Sequence, residues 1–370
     1  MAVRGNIVAK HPEFKKYSSL ENHYRDKFIL NVRQQGLTDP NIMWSVTEKF
    51  HGSNFSVIVK RDEDGKVVLV PAKRSCVIGP SDNFYSYQRA LAPVEAELMR
   101  LFEYIEETEI DSNSSHFSLQ FYGELVGGKY GDMVSPPQAS RVQKEVQYHP
   151  DNKIVFFDIR ENVNDMSVLL DVTTFENLMT SFVPSAHIAK SLFVGKFEDA
   201  FKYSKRTYGT STTASDLFDL PKLEDNIREG NVLKPLLPAY LKCGSRVIIK
   251  HKNEVFKERH DKKSREPRTP KEEVVLGPEL VNLLNTLETF ITEQRLNNVI
   301  SKIGEITSKD FGKILSDMTE DVLVDFKKEE EELIPLLESD FTLISKTLKG
   351  NIAQFIKPQF LNLIDGSKVD

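Results

Sequence analysis

Lys49 stands in the run Lys49-Phe50-His51-Gly52-Ser53-Asn54-Phe55, between the stretches Trp44 to Thr47 and Phe55 to Val59, which are rich in β-branched and aromatic residues. Such residues favour strands and a glycine between them punctuates the run. The lysine is therefore expected at a strand end, beside a glycine turn with backbone donors close by. An amine in that setting can attack phosphorus if it is neutral when it does so, and neighbouring cations together with a metal would favour the neutral form. Lys250 and Lys252 can supply those cations. Two residues apart in a strand, they face the same side, where both can meet phosphate oxygens as charge develops. The bland alternative for the pair is a solvent-facing strand edge.

Four further segments set a polar residue in or beside an apolar run: Lys73-Arg74-Ser75, Phe121-Tyr122-Gly123-Glu124-Leu125, Phe156-Phe157-Asp158-Ile159 and Glu229-Gly230-Asn231-Val232-Leu233-Lys234-Pro235. Glu229 and Glu124 could hold Mg²⁺, which takes oxygen ligands and keeps several waters, or could be ordinary ion-pair partners. Asp158 ends an apolar strand and must be paired or near a ligand to offset its desolvation. His51 could orient a phosphate or be a neutral structural ring. Asn54 could donate to phosphate or merely close the turn.

The elements that must carry these residues are legible as short apolar runs. Strands are expected over Trp44 to Thr47, Asn54 to Lys60, Val67 to Pro71, Phe117 to Leu125, Ile154 to Ile159 and Val247 to His251, with Asp62-Glu63-Asp64-Gly65 as a hairpin turn. Leu91, Val94, Leu98, Leu101, Phe102 and Ile105 recur at three- and four-residue spacing, one face of an amphipathic helix. Lys257 to Glu273 contains Pro267 and Pro270 and no aliphatic residue, which reads as a solvated linker. Beyond it the pattern is helical, with Leu280, Leu283, Leu284, Leu287 and Ile291 on one stripe behind Gly277-Pro278. The acidic run Glu329 to Glu332 is expected to be a solvated helix face, since consecutive carboxylates on a helix point in different directions.

A chain of 370 residues that is 39% hydrophobic can bury a sizeable core and suggests two domains. No apolar run is long enough to span a bilayer, and Met1 to Lys16 lacks the apolar core of a signal peptide, so a cytoplasmic protein is the default, with an organelle address left open. Cys76 and Cys243 are too few for a disulfide framework. The net charge of −6 is silent about nucleic acid, because a basic groove is invisible to it. The remaining histidines, at positions 11, 23, 116, 149, 187 and 260, form no metal-spaced pair. No Gly-x-x-x-x-Gly-Lys-Ser/Thr loop is present, which turns ATP use away from P-loop chemistry.

Taken in order, Lys49-x-His51-Gly52, Arg74, the Glu124 segment, the Phe157-Asp158 segment, the Glu229 segment and Lys250-x-Lys252 resemble the motifs of the covalent nucleotidyltransferases. They resemble most the phage-type RNA ligase 2 family, to which RNA-editing ligases belong. DNA ligases and capping enzymes usually carry Asp where this chain has His51. Phe14-Lys15-Lys16-Tyr17-Ser18-Ser19-Leu20-Glu21-Asn22 is also similar to the start of a phage enzyme of that group. The resemblance covers Phe14 to Lys252. It implies an α+β fold with an N-terminal nucleotidyltransferase (ATP-grasp-like ligase adenylation) domain of antiparallel sheets with helices over residues 1–256; the C-terminal part is similar in helical character only, and the sequence pattern itself gives the linker 257–273 and a small all-α domain over 274–370, whose position suggests an RNA-binding role.

The same resemblance implies an ATP-dependent RNA ligase working as a monomer with Mg²⁺ or Mn²⁺ on RNA with 5′-phosphate and 3′-hydroxyl ends, notably nicks in duplex RNA. Lys49 becomes the AMP acceptor, with His51, Asn54, Arg74, Asp158, Lys250 and Lys252 as its catalytic company. Thr47, Glu48, Asn54, Arg74, Glu124, Phe157, Glu229, Lys250 and Lys252 surround the nucleotide. Phe157 resembles the family's base-stacking aromatic, although a lone Phe in such a strand is otherwise core. Glu229, and Glu124 where it does not meet the ribose, would be the metal ligands. Arg74 would grip the 5′-phosphate of the acceptor strand, a task that suits a guanidinium's paired donors.

Overall fold

A computed structural model of the chain describes residues 13–110, 114, 116–256, 278–304, 306, 307 and 309–366. Residues 1–12 and the charged linker of 257–273 lie outside the described residues, as do His11, His260 and Gly277. The chain divides into two compact units, Met1–Asn253 and Glu254–Asp370.

Among the described residues the strands lie in the first unit: β1 Glu21–Asn22, β2 Met43–Lys49, β3 Ser53–Arg61, β4 Val67–Lys73, β5 Phe117–Lys129, β6 His149–Val163, β7 Met166–Leu169, β8 His187–Ile188, β9 Phe193–Lys196, β10 Gly230–Pro235 and β11 Ile249–Lys252. Its helices are α1 Asp26–Gln34, α2 Tyr87–Leu91, α3 Glu95–Glu109, α4 Val172–Phe182, α5 Phe197–Thr207 and α6 Ala214–Phe218. The strands form two sheets, one in the order β1-β11-β10-β2-β9 and the other β4-β3-β5-β6-β7, with β8 pairing β6. Pairing is antiparallel except for β1 with β11 and β6 with β8.

Each sheet covers one face with helices and turns the other toward its neighbour. Phe55, Val57, Val59, Phe121 and Phe156 of the second sheet pack with Leu98, Leu101, Phe102 and Ile105 of α3 in one core. Trp44, Val46, Leu233 and Ile249 of the first sheet pack with Phe28 and Val32 of α1 and Phe197 and Ala200 of α5 in another. Between the sheets a smaller cluster joins Tyr17, Tyr122, Leu169 and Ile248, with Phe157 and Val232 against it. Strands buried on both faces read as apolar runs rather than clean alternation, which is why they are visible in the sequence as β-branched stretches.

The expected Asp62 to Gly65 hairpin turn is present: Asp62 Oδ1 accepts from the amides of Asp64 and Lys66, and Gly65 takes φ +77°, the left-handed region where glycine alone is unstrained. The amphipathic stripe from Leu91 to Ile105 is not one helix. Leu91 closes α2, and α3 starts only at Glu95, because Pro93 has no amide hydrogen and cannot continue the helix. The strand expected from Val247 begins at Ile249, since Val247 instead donates to the Ala239 carbonyl in the preceding loop.

The second unit is helical: α7 Pro278–Thr289, α8 Glu293–Ile303, α9 Phe311–Glu329, α10 Ile334–Ser339 and α11 Phe341–Gly366. Leu283, Leu287 and Ile291 are in its core with Ile314, Met318, Val322 and Phe326 of α9. Ile291 lies beyond the end of α7, two residues past Thr289. The acidic run is not a continuous helix face: Glu329 ends α9, and Glu331–Leu333 form a separate 3₁₀ turn. No helix among the described residues is long and apolar enough to cross a membrane.

Candidate active site

The period-two alternation of the first sheet sorts its polar residues. Trp44, Val46, Leu233 and Ile249 belong to the helix-facing core, so Thr47 and Lys49 of β2, Lys234 of β10 and Lys250 and Lys252 of β11 belong to the face toward the other sheet. In the second sheet Phe55 and Phe121 are on the helix side, which puts Asn54, Gln120, Tyr122 and Glu124 on the cleft side. Asn54 and Glu124 are direct cross-strand partners. Lys49 is the last residue of β2, and Phe50 to Gly52 carry the chain from one sheet to the other.

That crossing explains Gly52 better than a turn does. A Cβ there would lie 2.1 Å from the Leu125 carbonyl oxygen, so only glycine lets the crossing lie against β5. Gly230 is required in the same way: its Cβ would meet the His251 carbonyl oxygen at 1.9 Å, in the strand pair that brings Glu229 beside Lys252.

One carboxylate gathers the cations. Glu229 is 2% exposed; Lys49 Nζ donates to its Oε2, His51 Nδ1 is 3.4 Å from the same oxygen, and Lys252 Nζ is 3.3 Å from Oε1. Burial alone would raise the Glu229 carboxyl, but Lys49, Lys252 and His51 outweigh it and hold it well below the usual carboxylate range. The structure thus sets a carboxylate on Lys49 where the sequence suggested cations alone, because Glu229 immediately precedes β10, whose Gly230 pairs with Lys49 of β2.

His51 is buried, with Nε2 3.0 Å from Glu145 Oε2, and its amide donates to the Tyr148 hydroxyl at 2.8 Å. Burial would lower the imidazole, yet Glu229 and Glu145 overcome it and raise it above its ordinary value. The ring thus lies between two carboxylates, one at each nitrogen. Gln143 Nε2 donates to the Gly52 carbonyl at 3.3 Å, so Gln143, Glu145 and Tyr148 together bracket the crossing. None of the three was marked by the sequence reading. Their segment has no strand or helix period, and its contacts with His51 span more than 90 positions, 97 from Tyr148 and 94 from Glu145.

Glu124 accepts from the Gly52 amide at 3.2 Å. Burial pushes its carboxyl up to about 7; Lys49, His51 and Arg74 pull against that, and Glu229 adds to it. Arg74, half-buried just after β4, is thus within electrostatic reach of Glu124. No group of three or more His, Cys, Asp or Glu side chains converges on a metal position among the described residues. Glu229, taken by cations, and Glu124, whose proton burial favours, are the two carboxylates within electrostatic reach of Lys49.

Asp158 belongs to a second cluster. It is 1% exposed, accepts from Lys234 Nζ at 2.7 Å, Arg246 Nη2 at 3.0 Å and the Tyr17 hydroxyl, and is held below its ordinary range as these cations overcome its burial. Lys234 also donates to the Phe157 carbonyl at 3.0 Å. Phe157 is the extra residue of a β-bulge, since Gly123 pairs with Phe156 and Tyr122 with Asp158. The bulge lets Phe157 and Asp158 both face the cleft, with Phe157 edge-on to Tyr17 at 4.9 Å, while Phe156 is buried on the helix side. Glu48 turns away from Lys49: its carboxylate accepts from the hydroxyls of Thr212 and Thr213 and the Thr213 amide, as alternation along β2 requires. Thr47 pairs with Val232 and is buried.

A family model described as RNA ligase matches residues 42–252, and one described as T4 RNA ligase 2 C-terminal matches residues 274–354. The chain is 26% identical over 356 residues to mitochondrial RNA-editing ligase 1 of Trypanosoma brucei brucei, covering 83% of this chain and 74% of that protein. It is 26% identical over 368 residues to mitochondrial RNA-editing ligase 2 of the same organism, covering 87% and 85%. Among solved structures it is similar to a lysine mutant of Naegleria gruberi RNA ligase with ATP and Mn, at a TM-score of 0.42 and 14% identity over 67% of this chain, which spans 58% of that one.

Proposed function

From the premise that the chain belongs to the RNA ligase family, as an ATP-dependent RNA ligase, we propose that Lys49 is the amine that receives AMP. In the first step Lys49 Nζ attacks the α-phosphorus of ATP. A P–N bond forms, the P–O bond to pyrophosphate breaks, and the amine sheds a proton. In the second, an oxygen of an RNA 5′-phosphate takes the AMP from Lys49. In the third, a neighbouring 3′-hydroxyl attacks that 5′-phosphate, forming the phosphodiester and releasing AMP. The observation that carries this reading is Lys49 itself: at 22% side-chain exposure it is the open member of a buried cluster, at the end of a strand and against a cleft lined by cations.

Before it can attack, the amine must part from Glu229, and phosphate oxygens arriving between Lys49, Lys252 and Arg74 would compete for those cations. Lys250 shares the face of Lys252 and would meet the same phosphates. Asn54, across from Glu124 on β3, would donate to a phosphate oxygen. Glu124 and Glu229 would hold Mg²⁺, whose part is to neutralise charge on the triphosphate and its pyrophosphate product. Phe157 offers the adenine a flat apolar partner, and the Asp158 cluster fixes Phe157 through the Lys234 bond to its carbonyl.

The second unit we assign to holding RNA, most simply a nicked duplex, since every residue of the nucleotide site lies in the first. A chain ending near Phe256 should keep self-adenylylation and lose nick sealing; equal loss of both would reject this division. Labelled ATP and GTP test the reading as a whole. Label should pass from ATP to the protein and on to 5′-phosphorylated RNA, whereas transfer from GTP alone, or none to Lys49, would defeat it.

A further inference from the structure

We infer that Glu145 is a positioning residue for His51: its carboxylate fixes the imidazole so that Nδ1 is aimed at the Glu229 oxygen that also holds Lys49. This rests on the ligase reading for its effect on rate, though not for its effect on the ring. The imidazole can rotate about two side-chain bonds, and a contact at Nδ1 alone, at 3.4 Å, is too long to fix it. The 3.0 Å bond at Nε2 supplies the second point. A carboxylate only accepts, so Nε2 must carry the hydrogen.

Glu145 is itself held. Its Oε2 accepts from the Lys144 amide at 3.1 Å, and Val146 and Tyr148 just after it are buried. The segment reaches the crossing at three heights: the Gly52 carbonyl through Gln143, the His51 ring through Glu145 and the His51 amide through Tyr148. Backbone and ring of His51 are thereby fixed from one direction, while Glu229 enters from the other.

Because His51 and Lys49 meet the same Oε2, the ring's position sets how that oxygen is shared. A ring turned away leaves Glu229 Oε2 to Lys49 alone and hinders the amine's departure toward phosphorus. Among the described residues Glu145 bonds to the His51 ring and the Lys144 amide and makes no hydrogen bond or ion pair with Lys49 or Glu229, so its influence on them passes through His51.

Two variants separate positioning from bulk stability. Glu145→Gln keeps an oxygen acceptor at the same reach, and Glu145→Ala removes it. In nitrogen-resolved NMR of the nucleotide-free protein, the His51 Nε2 hydrogen should be slowly exchanging in the parent and in Glu145→Gln, and absent in Glu145→Ala. Single-turnover adenylylation at saturating ATP should fall about 10- to 100-fold in Glu145→Ala with KM unchanged, and by less than about threefold in Glu145→Gln, as expected for a misplaced rather than a missing group. A persistent Nε2 hydrogen in Glu145→Ala would overturn the inference, as would parent-like rate in that variant or equal rate losses in both. If the parent forms no adduct with any nucleotide, the ligase reading fails, and the ring signal still decides the role of Glu145.

Discussion

Glu229 and Asp158 are near copies of one another in physical terms and opposites in access. Each is a carboxylate no more than 2% exposed, held by two cations and a third donor, and each lies on the inner face between the two sheets. Around Asp158 the cations are as closed as the acid, Lys234 at 7% and Arg246 at 3%. Around Glu229 one cation is open, Lys49 at 22%. A closed cluster can only brace the sheets. An open one can trade its carboxylate for an incoming phosphate, and that difference, rather than the presence of buried charge, is why we propose the Glu229 cluster as the seat of chemistry.

The sharpest way to break the comparison is to remove each charge in turn. Glu229→Gln should cut self-adenylylation by at least about 100-fold while the fold survives, since Lys49 can reach solvent or phosphate instead. Asp158→Asn should act chiefly on stability, lowering it by about 3–5 kcal/mol in denaturant unfolding because Lys234 and Arg246 are left buried without their counter-charge. If Asp158→Asn left the unfolding curve unchanged and abolished only activity, the distinction between brace and site would fall.

A smaller effect sharpens the same contrast through pH. The Glu124 carboxyl is raised by burial to about 7 from 4.5, so its folded form favours the proton. Its contribution is fully present below the unfolded value and is lost as pH rises between 4.5 and about 7. The depressed Asp158 has the reverse sign: its stabilisation is present above its unfolded value of 3.8 and lost only as pH falls below that. Replacing Glu124 by Gln should therefore flatten the fall in melting temperature from pH 5 to pH 8, and Asp158→Asn should leave the slope across that window unchanged. Equal changes in slope would show that the two clusters are not electrostatically distinct.

What the sequence made legible follows from local pattern. β-branched runs located β2, β3, β5 and β6 because these strands are buried on both faces, and the two-residue step from Lys250 to Lys252 gave their common face. Lys49, His51, Glu124, Glu229 and Lys252 were picked out as polar residues bordering such runs, and the fold brings them together. The same alternation, applied one residue earlier, turns the Glu48 side chain toward Thr212 and Thr213 and away from the cleft. Glu145, Tyr148 and Gln143 were invisible because nothing periodic surrounds them and their partners are distant in sequence. Lys234 and Arg246 escaped notice as partners of Asp158 for a related reason: Lys234 was one polar residue in an apolar strand, and Arg246 lies in a loop. The Pro93 break between α2 and α3 was legible in principle, but the apolar spacing across it mimicked a single helix.

Lys49 is the proposed acceptor of AMP. Incubation of the purified chain with ATP and Mg²⁺, followed by peptide mass mapping, measures this directly. The expected result is one AMP on the peptide holding Lys49, discharged by pyrophosphate and absent in Lys49→Ala. An adduct on another residue, an adduct that survives in Lys49→Ala, or none in the parent protein would contradict it.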